Sequence, residues 1–176
     1  MAAIDPVDEK GIRELLAKGW LTHDAMWFYS VYRDLGVEKT NDLNLSAIKA
    51  LAPIEVARLQ RFLGIQGKQI DSFEALDDFM KAAFAITLPK SVACHFDFRA
   101  TSTGVFHWEW EPGCCFAFQG MQNLGILDTY RCGVLYRVEC WFDALGIGHR
   151  TDPEIDTCIM SDSRTCSGNI TVELNR

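Results

Sequence analysis

The sequence lacks several things that whole classes of protein depend on. It has no run of the ~20 uncharged apolar residues that a bilayer span requires, so a membrane is not an expected partner. Only 5 prolines and 13 glycines occur in 176 residues, too few for a collagen-like or low-complexity chain. Positive charge is scarce: 17 Lys and Arg stand against 24 Asp and Glu, a formal net charge of −7. Nucleic acid and anionic lipid both need a basic patch, so neither is expected as the main partner. Cysteine is absent before Cys94, and the seven cysteines contain no CxxC pair, which removes support for paired zinc knuckles. Residues 1–10 carry Asp5, Asp8 and Glu9 and do not read as an export signal. The expectation is a cytoplasmic location with reduced thiols.

What is present is enough apolar material for one compact domain: 48% of residues are hydrophobic and 11% aromatic. Residues 7–88 read as helical. Thr22 is a cap for a stripe of Trp27, Phe28, Val31, Tyr32 and Leu35 that stops at Gly36. Leu45, Ile48 and Leu51 follow, and Pro53 suits the first turn of a new helix carrying Val56, Leu59, Phe62 and Leu63 up to Gly64. Asp71 and Glu74 have capping-box spacing before Phe73, Leu76, Phe79, Met80 and Phe84. Trp20, Trp27, Phe28 and Tyr32 are candidates for a ligand pocket, although such a stripe is more often core.

From Ser91 the period changes to two. Val92, Cys94, Phe96 and Phe98 alternate with Ala93, His95, Asp97 and Arg99, and Phe106, Trp108 and Trp110 alternate with His107, Glu109 and Glu111. A five-residue loop over 100–104 sets Arg99 opposite Val105, Asp97 opposite His107 and His95 opposite Glu109. On the polar face His95, Asp97, His107 and Glu109 then form a candidate site for a divalent metal, or supply a general base. An ordinary polar sheet face with opposite-charge pairs is the plainer reading.

After Pro112-Gly113, a short helix over 114–124 and a longer one over 128–145 are expected, the latter with Val134, Leu135, Val138, Trp141, Phe142 and Leu145 inward. Arg131 and Arg137 lie off that stripe and either pair with acids or clamp a ligand carboxylate. Residues 153–174 read as a second hairpin: Ile155 and Ile159 on one strand, Ile170, Val172 and Leu174 on the other, and a turn over 162–165. Cys158 and Cys166 then flank its mouth, and Cys132 or Cys140 would have to complete a thiolate metal site with them. The fold class is α+β over residues 1–176: N-terminal helices, then an antiparallel sheet of two hairpins separated by two helices.

Residues 27–65 (WFYSVYRDLGVEKTNDLNLSAIKALAPIEVARLQRFLGI) resemble the opening of a family of small bacterial and archaeal proteins without assigned function, related to the L-2-amino-thiazoline-4-carboxylate hydrolase-like family. The spacing of Cys115, Gln119, Leu124-Gly125, Arg131-Cys132, Asp152-Pro153, Ile155, Cys158 and Cys166 agrees with it. A wider similarity is to the vinyl-reductase domain, a small α+β module for small hydrophobic molecules. Where family members carry a second thiol three residues after Cys158 and then Pro-Pro-Asp, this chain has Ser161 and Asp162-Ser163, which weakens a thiolate cluster there.

The resemblance implies a small-molecule-binding domain that hydrolyses a small nitrogen- or sulfur-containing carboxylate. Cys132 or Cys115 would be the nucleophile, or a metal on His95, Asp97, His107 and Glu109 would activate water, with Arg131 as the clamp. The alternative is a non-enzymatic ligand- or metal-binding module, its metal held by Cys132, Cys158 and Cys166. A homodimer is the assembly that exposed apolar surface would favour.

Overall fold

A computed structural model describes residues 8–163 and 165–174. The expected α+β class is found: helices on one face of a four-stranded antiparallel sheet. α1 (Glu9–Phe62) is two helical limbs joined at Gly36, whose φ of 79° is a left-handed conformation that side chains other than glycine resist. Arg13, Leu16 and Trp20 of the first limb share a groove with Leu51, Glu55 and Arg58 of the second, so the limbs fold back on each other. The helix opens at Asp8, which accepts from the Gly11 amide, rather than at Thr22; the expected beginning at Val7 lies outside the described residues. Pro53 sits inside the second limb instead of opening a new helix. Its missing N–H costs one intrahelical bond, but Ala52, Val56 and Leu59 lie buried on a common face, and their burial holds the helix through it.

α2 (Phe73–Thr87) is capped by Ser72, whose hydroxyl accepts from the Ala75 amide at 3.1 Å, one residue beyond the expected Asp71. Leu76, Phe79, Met80 and Ala83 form its buried face. Residues expected to begin the first strand instead form the single turn α3 (Lys90–Ala93). The Glu14 carboxylate, reaching across from α1, accepts from the Lys90 amide at 2.8 Å and from the Ser91 hydroxyl at 2.9 Å. That partner satisfies helix-start donors that no local side chain serves.

β1 (Phe96–Ser102) and β2 (Val105–Trp110) pair as a hairpin with the expected faces but not the expected partners. Phe96 lies opposite Trp110, Asp97 opposite Glu109, Phe98 opposite Trp108 and Arg99 opposite His107. The register is two residues from the expected one, because a tighter turn and an irregularity between Ala100 and Ser102 replace the five-residue loop. A two-residue slip leaves every side chain on its own face, so the hydrophobic pattern cannot detect it.

α4 (Phe116–Leu124) is followed by a 3-10 turn at Leu127–Thr129, and α5 (Gly133–Ala144) begins later than the expected residue 128. The second hairpin exists, but its first strand is β3 (Gly148–Asp152), and residues 153–165 form its connection, with α6 (Ile159–Ser163) where a turn was expected. Ile155 and Ile159 belong to no strand. β3 is an edge strand with a polar sequence, which explains why alternation does not mark it. β4 (Cys166–Glu173) lies between β2 and β3, giving the order β1-β2-β4-β3.

The sheet's inner face is Phe106, Trp108, Trp110 and Ile170, all essentially without solvent contact. Phe84 of α2 meets Phe96 and Trp141 at ring separations of 5.2 and 5.5 Å, so α2, α5 and the sheet share one core. Leu15, Leu16, Trp20, Met26, Trp27 and Phe62 remain exposed on the limbs of α1. Among the described residues no helix is long and apolar enough to cross a membrane.

Trp108 lies directly across from Gly168. A Cβ at Gly168 would stand 2.2 Å from Cη2 of Trp108 and 2.5 Å from the Asp152 carbonyl oxygen. Gly168→Ala is therefore expected to cost about 3 kcal/mol in denaturant unfolding, whereas Gly19→Ala, with open space around it, should not destabilise. Equal midpoints for Gly168→Ala and wild type would show that the indole does not lie over β4.

Candidate functional site

Two cavities lie where the helices meet the sheet. The first is enclosed, about 10 Å³, and its walls include Cys115, Cys132, Cys158 and Cys166 with Trp110, Tyr130 and Met160. These four thiols come from four separate places: Cys115 and Cys132 cap α4 and α5, Cys158 immediately precedes α6, and Cys166 opens β4. A short backbone bridge brings the middle pair together, with Arg131 paired to Thr157 and the Cys132 amide donating to the Asp156 carbonyl at 3.1 Å.

Asn41 fixes the approach to that bridge. It is buried in α1, donates through Nδ2 to the Thr129 carbonyl at 2.7 Å and accepts from the Arg131 amide at 3.1 Å. Tyr130 is buried between those two residues, and its hydroxyl accepts from the Gly133 amide at 3.0 Å. The chain entering α5 is thus held at three consecutive residues, which is what places Cys132.

Burial pushes the Cys115, Cys132 and Cys166 thiols up to about 12, and raises Cys158 too. The surrounding donors act in the opposite sense. First-turn amides near Cys115, Cys132 and Cys158 work against that rise, although neither Cys115 nor Cys132 accepts a capping hydrogen bond through its sulfur. The Trp108 indole N–H interacts with the Cys166 sulfur without closing a full hydrogen bond. Trp110 Nε1, in the same wall, is buried without a partner. The site is therefore too dry to keep unbalanced thiolates.

The second cavity, about 110 Å³, opens between α1 and the core. Trp20, Ile48, Phe84, Phe96, Trp110 and Trp141 supply its apolar walls, and Asp24, Asn44, Thr87 and Arg137 its polar groups. Arg137 is already engaged: Nε donates to Glu55 Oε2 at 2.9 Å, a second guanidinium nitrogen contacts Glu55 Oε1, and Trp141 Nε1 donates to Glu55 Oε2 at 2.7 Å. Glu55 thus ties the second limb of α1 to α5. Of the four aromatic residues considered for a pocket, Trp20 lines this one, Phe28 is core, Tyr32 packs half-buried against the core and Trp27 is exposed.

The proposed four-residue metal face does not assemble. His95 pairs with Glu111, Nδ1 to Oε2 at 2.6 Å, rather than with Glu109, and Asp97 pairs with Arg99. His107 Nδ1 lies 3.0 Å from Asn169 Oδ1, with Nε2 3.8 Å from Glu109. The two-residue register slip breaks the expected His95–Glu109 and Asp97–His107 pairings and sets Asp97 opposite Glu109 instead, and no three of the four ligand groups lie within 4.8 Å of one another. Arg131 pairs with Asp156 and Asp42 at the surface, at 3.2 and 3.5 Å, and lines neither of these two cavities; it borders a separate open surface groove together with Cys132. Among the described residues no imidazole lines either cavity, so His107 stands apart from Cys115 and Cys132.

A family model, described as a family of unknown function (DUF6125), matches residues 8–101, more than half of the chain. The chain belongs to DUF6125. The DUF6125 match spans α1, α2, α3 and most of β1, including Asn41 and Glu55, and ends before the four thiols. Nothing in it links the chain to thiazoline-carboxylate hydrolase-like proteins or to the vinyl-reductase domain. No curated protein and no solved structure matches the chain.

Sequence reasoning singled out the cysteines but missed Asn41, Glu55 and Trp110. A buried Asn or half-buried Glu inside a helical stripe looks like any solvated residue; only an unpaired polar residue on the apolar side of the wheel could have marked it. Native protein treated with iodoacetamide at pH 7 is expected to react first at the exposed Cys94, with the buried Cys115, Cys158 and Cys166 reacting only after unfolding. Peptide mass mapping with early labelling of Cys115 would reverse this account of the cavity.

Proposed function

We propose that this chain is a small-molecule-binding module, similar in kind to the vinyl-reductase domain, whose ligand occupies the cavity between α1 and the core. The observation that supports it is the composition of that cavity, an aromatic box with a few polar groups at about 110 Å³. Engineered cavities of about 150 Å³ hold benzene, so the ligand is ring-sized and largely apolar with one hydrogen-bonding end. Hydrolysis of a nitrogen- or sulfur-containing carboxylate has less support. The thiols are held neutral, and neither cavity has an imidazole wall to activate them or water.

Toluene and benzoate are simple probes. A ligand at one hundred times its Kd stabilises by about 2.7 kcal/mol, so either should raise Tm by several degrees, and Val134→Phe, which narrows the cavity, should remove the shift. No shift with either probe, or an undiminished shift in Val134→Phe, would reject the cavity as the site.

The four thiols line one small space, but among the described residues no three of their sulfurs lie within 4.8 Å of one another, so Cys132, Cys158 and Cys166 do not form a preassembled thiolate metal site. The exposed apolar face of α1 is consistent with pairing of two copies, which would give light scattering twice the 19.9 kDa of the chain.

A further inference from the structure

We propose that His95, Glu111 and Cys114 form a second, open site at the surface for a divalent transition metal of the zinc class. It uses none of the four inner thiols and does not depend on the functional reading above. Among the described residues this is the one group of three or more histidines, cysteines and acids whose ligand atoms all lie within 4.8 Å of one another.

The arrangement follows from the backbone. The Glu111 amide donates to the His95 carbonyl at 2.9 Å, extending the β1–β2 pairing by one residue beyond the strands. Cross-strand partners project from the same face, which sets the imidazole beside the carboxylate. Pro112-Gly113 then reverses the chain. Gly113 takes φ 75°, the left-handed value that the third position of such a turn requires, and the Cys114 amide closes it onto the Glu111 carbonyl at 2.9 Å. Two further bonds hold the turn: the Gly113 amide lies 3.2 Å from the Met160 sulfur, and Gln119 Nε2 donates to the Gly113 carbonyl at 2.9 Å. Imidazole, carboxylate and thiol are thus carried on rigid backbone.

The chemistry of the set selects the ion. One nitrogen, one oxygen and one sulfur suit borderline zinc-like ions and not magnesium or calcium, which take oxygen. Tetrahedral zinc with ligands at ~2.0–2.3 Å puts ligand atoms roughly 3.5 Å apart, so the trio closes on an ion by side-chain rotation alone. The His95–Glu111 hydrogen bond gives way to two metal bonds. Their side chains are 38% and 59% exposed, which leaves the ion reachable from solvent. Three protein ligands leave a position for water or a solute donor, the pattern of an open rather than a closed site. Cys114 and Cys115 are neighbours in sequence, but Cys115 lines the inner cavity and Cys114 does not.

Cobalt titration of the full chain, after its resident metal has been counted by elemental analysis, tests the site. Cobalt bound through sulfur gives a thiolate-to-metal absorption band. One equivalent beyond the resident metal is expected, with that band absent in Cys114→Ser and affinity lowered at least about tenfold in His95→Asn and Glu111→Gln. The resident metal content and Tm should be the same in all three variants. If the inner cavity holds no metal, the surface equivalent is still expected and still lost in Cys114→Ser, so the two sites fail separately. Cobalt affinity within twofold of wild type in Cys114→Ser, or no cobalt bound beyond the resident metal, would overturn the proposal.

Discussion

The indole of Trp108 lying over Gly168 is the constraint from which the sheet follows. A Trp on the inner face of β2 needs space above its cross-strand neighbour, and at Gly168 that space exists because there is no Cβ. The contact fixes β4 against β2 in one register, which sets Cys166 opposite Trp110. β4 in turn carries β3 on its other edge, so a strand near the end of the chain is the centre of the sheet. The sheet is complete only when residues 166–173 insert between a hairpin and an edge strand. The thiol cavity depends on the same event, since Cys166 is one of its walls.

One buried and one half-buried polar residue do the corresponding work among the helices. Apolar packing brings α1 against α5 but tolerates sliding, because one leucine fits much like another. Asn41 and Glu55 do not tolerate it: each satisfies groups that would otherwise be buried unpaired, and each does so at a single alignment of the helices. Asn41 places the chain entering α5, and with it Cys132. Glu55 holds Arg137 and Trp141 at the wall of the larger cavity. The shape of both cavities thus rests on hydrogen bonds made by residues within the DUF6125 match, while the thiols themselves lie beyond it.

The legible part of the fold is what hydrophobic period encodes. The helical half, the change to alternation near residue 96, the inward faces of β1 and β2 and the stripe of α5 all follow from side chains that must be buried. Register is not encoded that way, since Phe98 against Trp108 and Phe98 against Phe106 bury the same rings. The expected metal face rested on register and dissolved with it. β3 and α3 were illegible for a different reason. One is a polar edge strand, and the other is a helical turn capped by Glu14 from far along the chain. The gathering of Cys115, Cys132, Cys158 and Cys166 was partly legible through their spacing, but the four helix and strand starts that aim them inward were not.

Those starts also explain why consecutive residues face different surroundings. Cys114 closes a Pro-Gly turn on the polar side of the sheet, and Cys115 immediately takes the N-cap position of α4, where its side chain lines the inner cavity. A helix beginning one residue earlier would hand the cap to Cys114 and turn Cys115 into the helix body. The position of that cap is set by Gln119, which from inside α4 donates back to the Gly113 carbonyl and so locks the turn against the helix. A single side chain therefore separates a sulfur among solvent-facing nitrogen and oxygen ligands from one enclosed with three other thiols. The difference in chemistry between the two comes from backbone geometry, not from residue type.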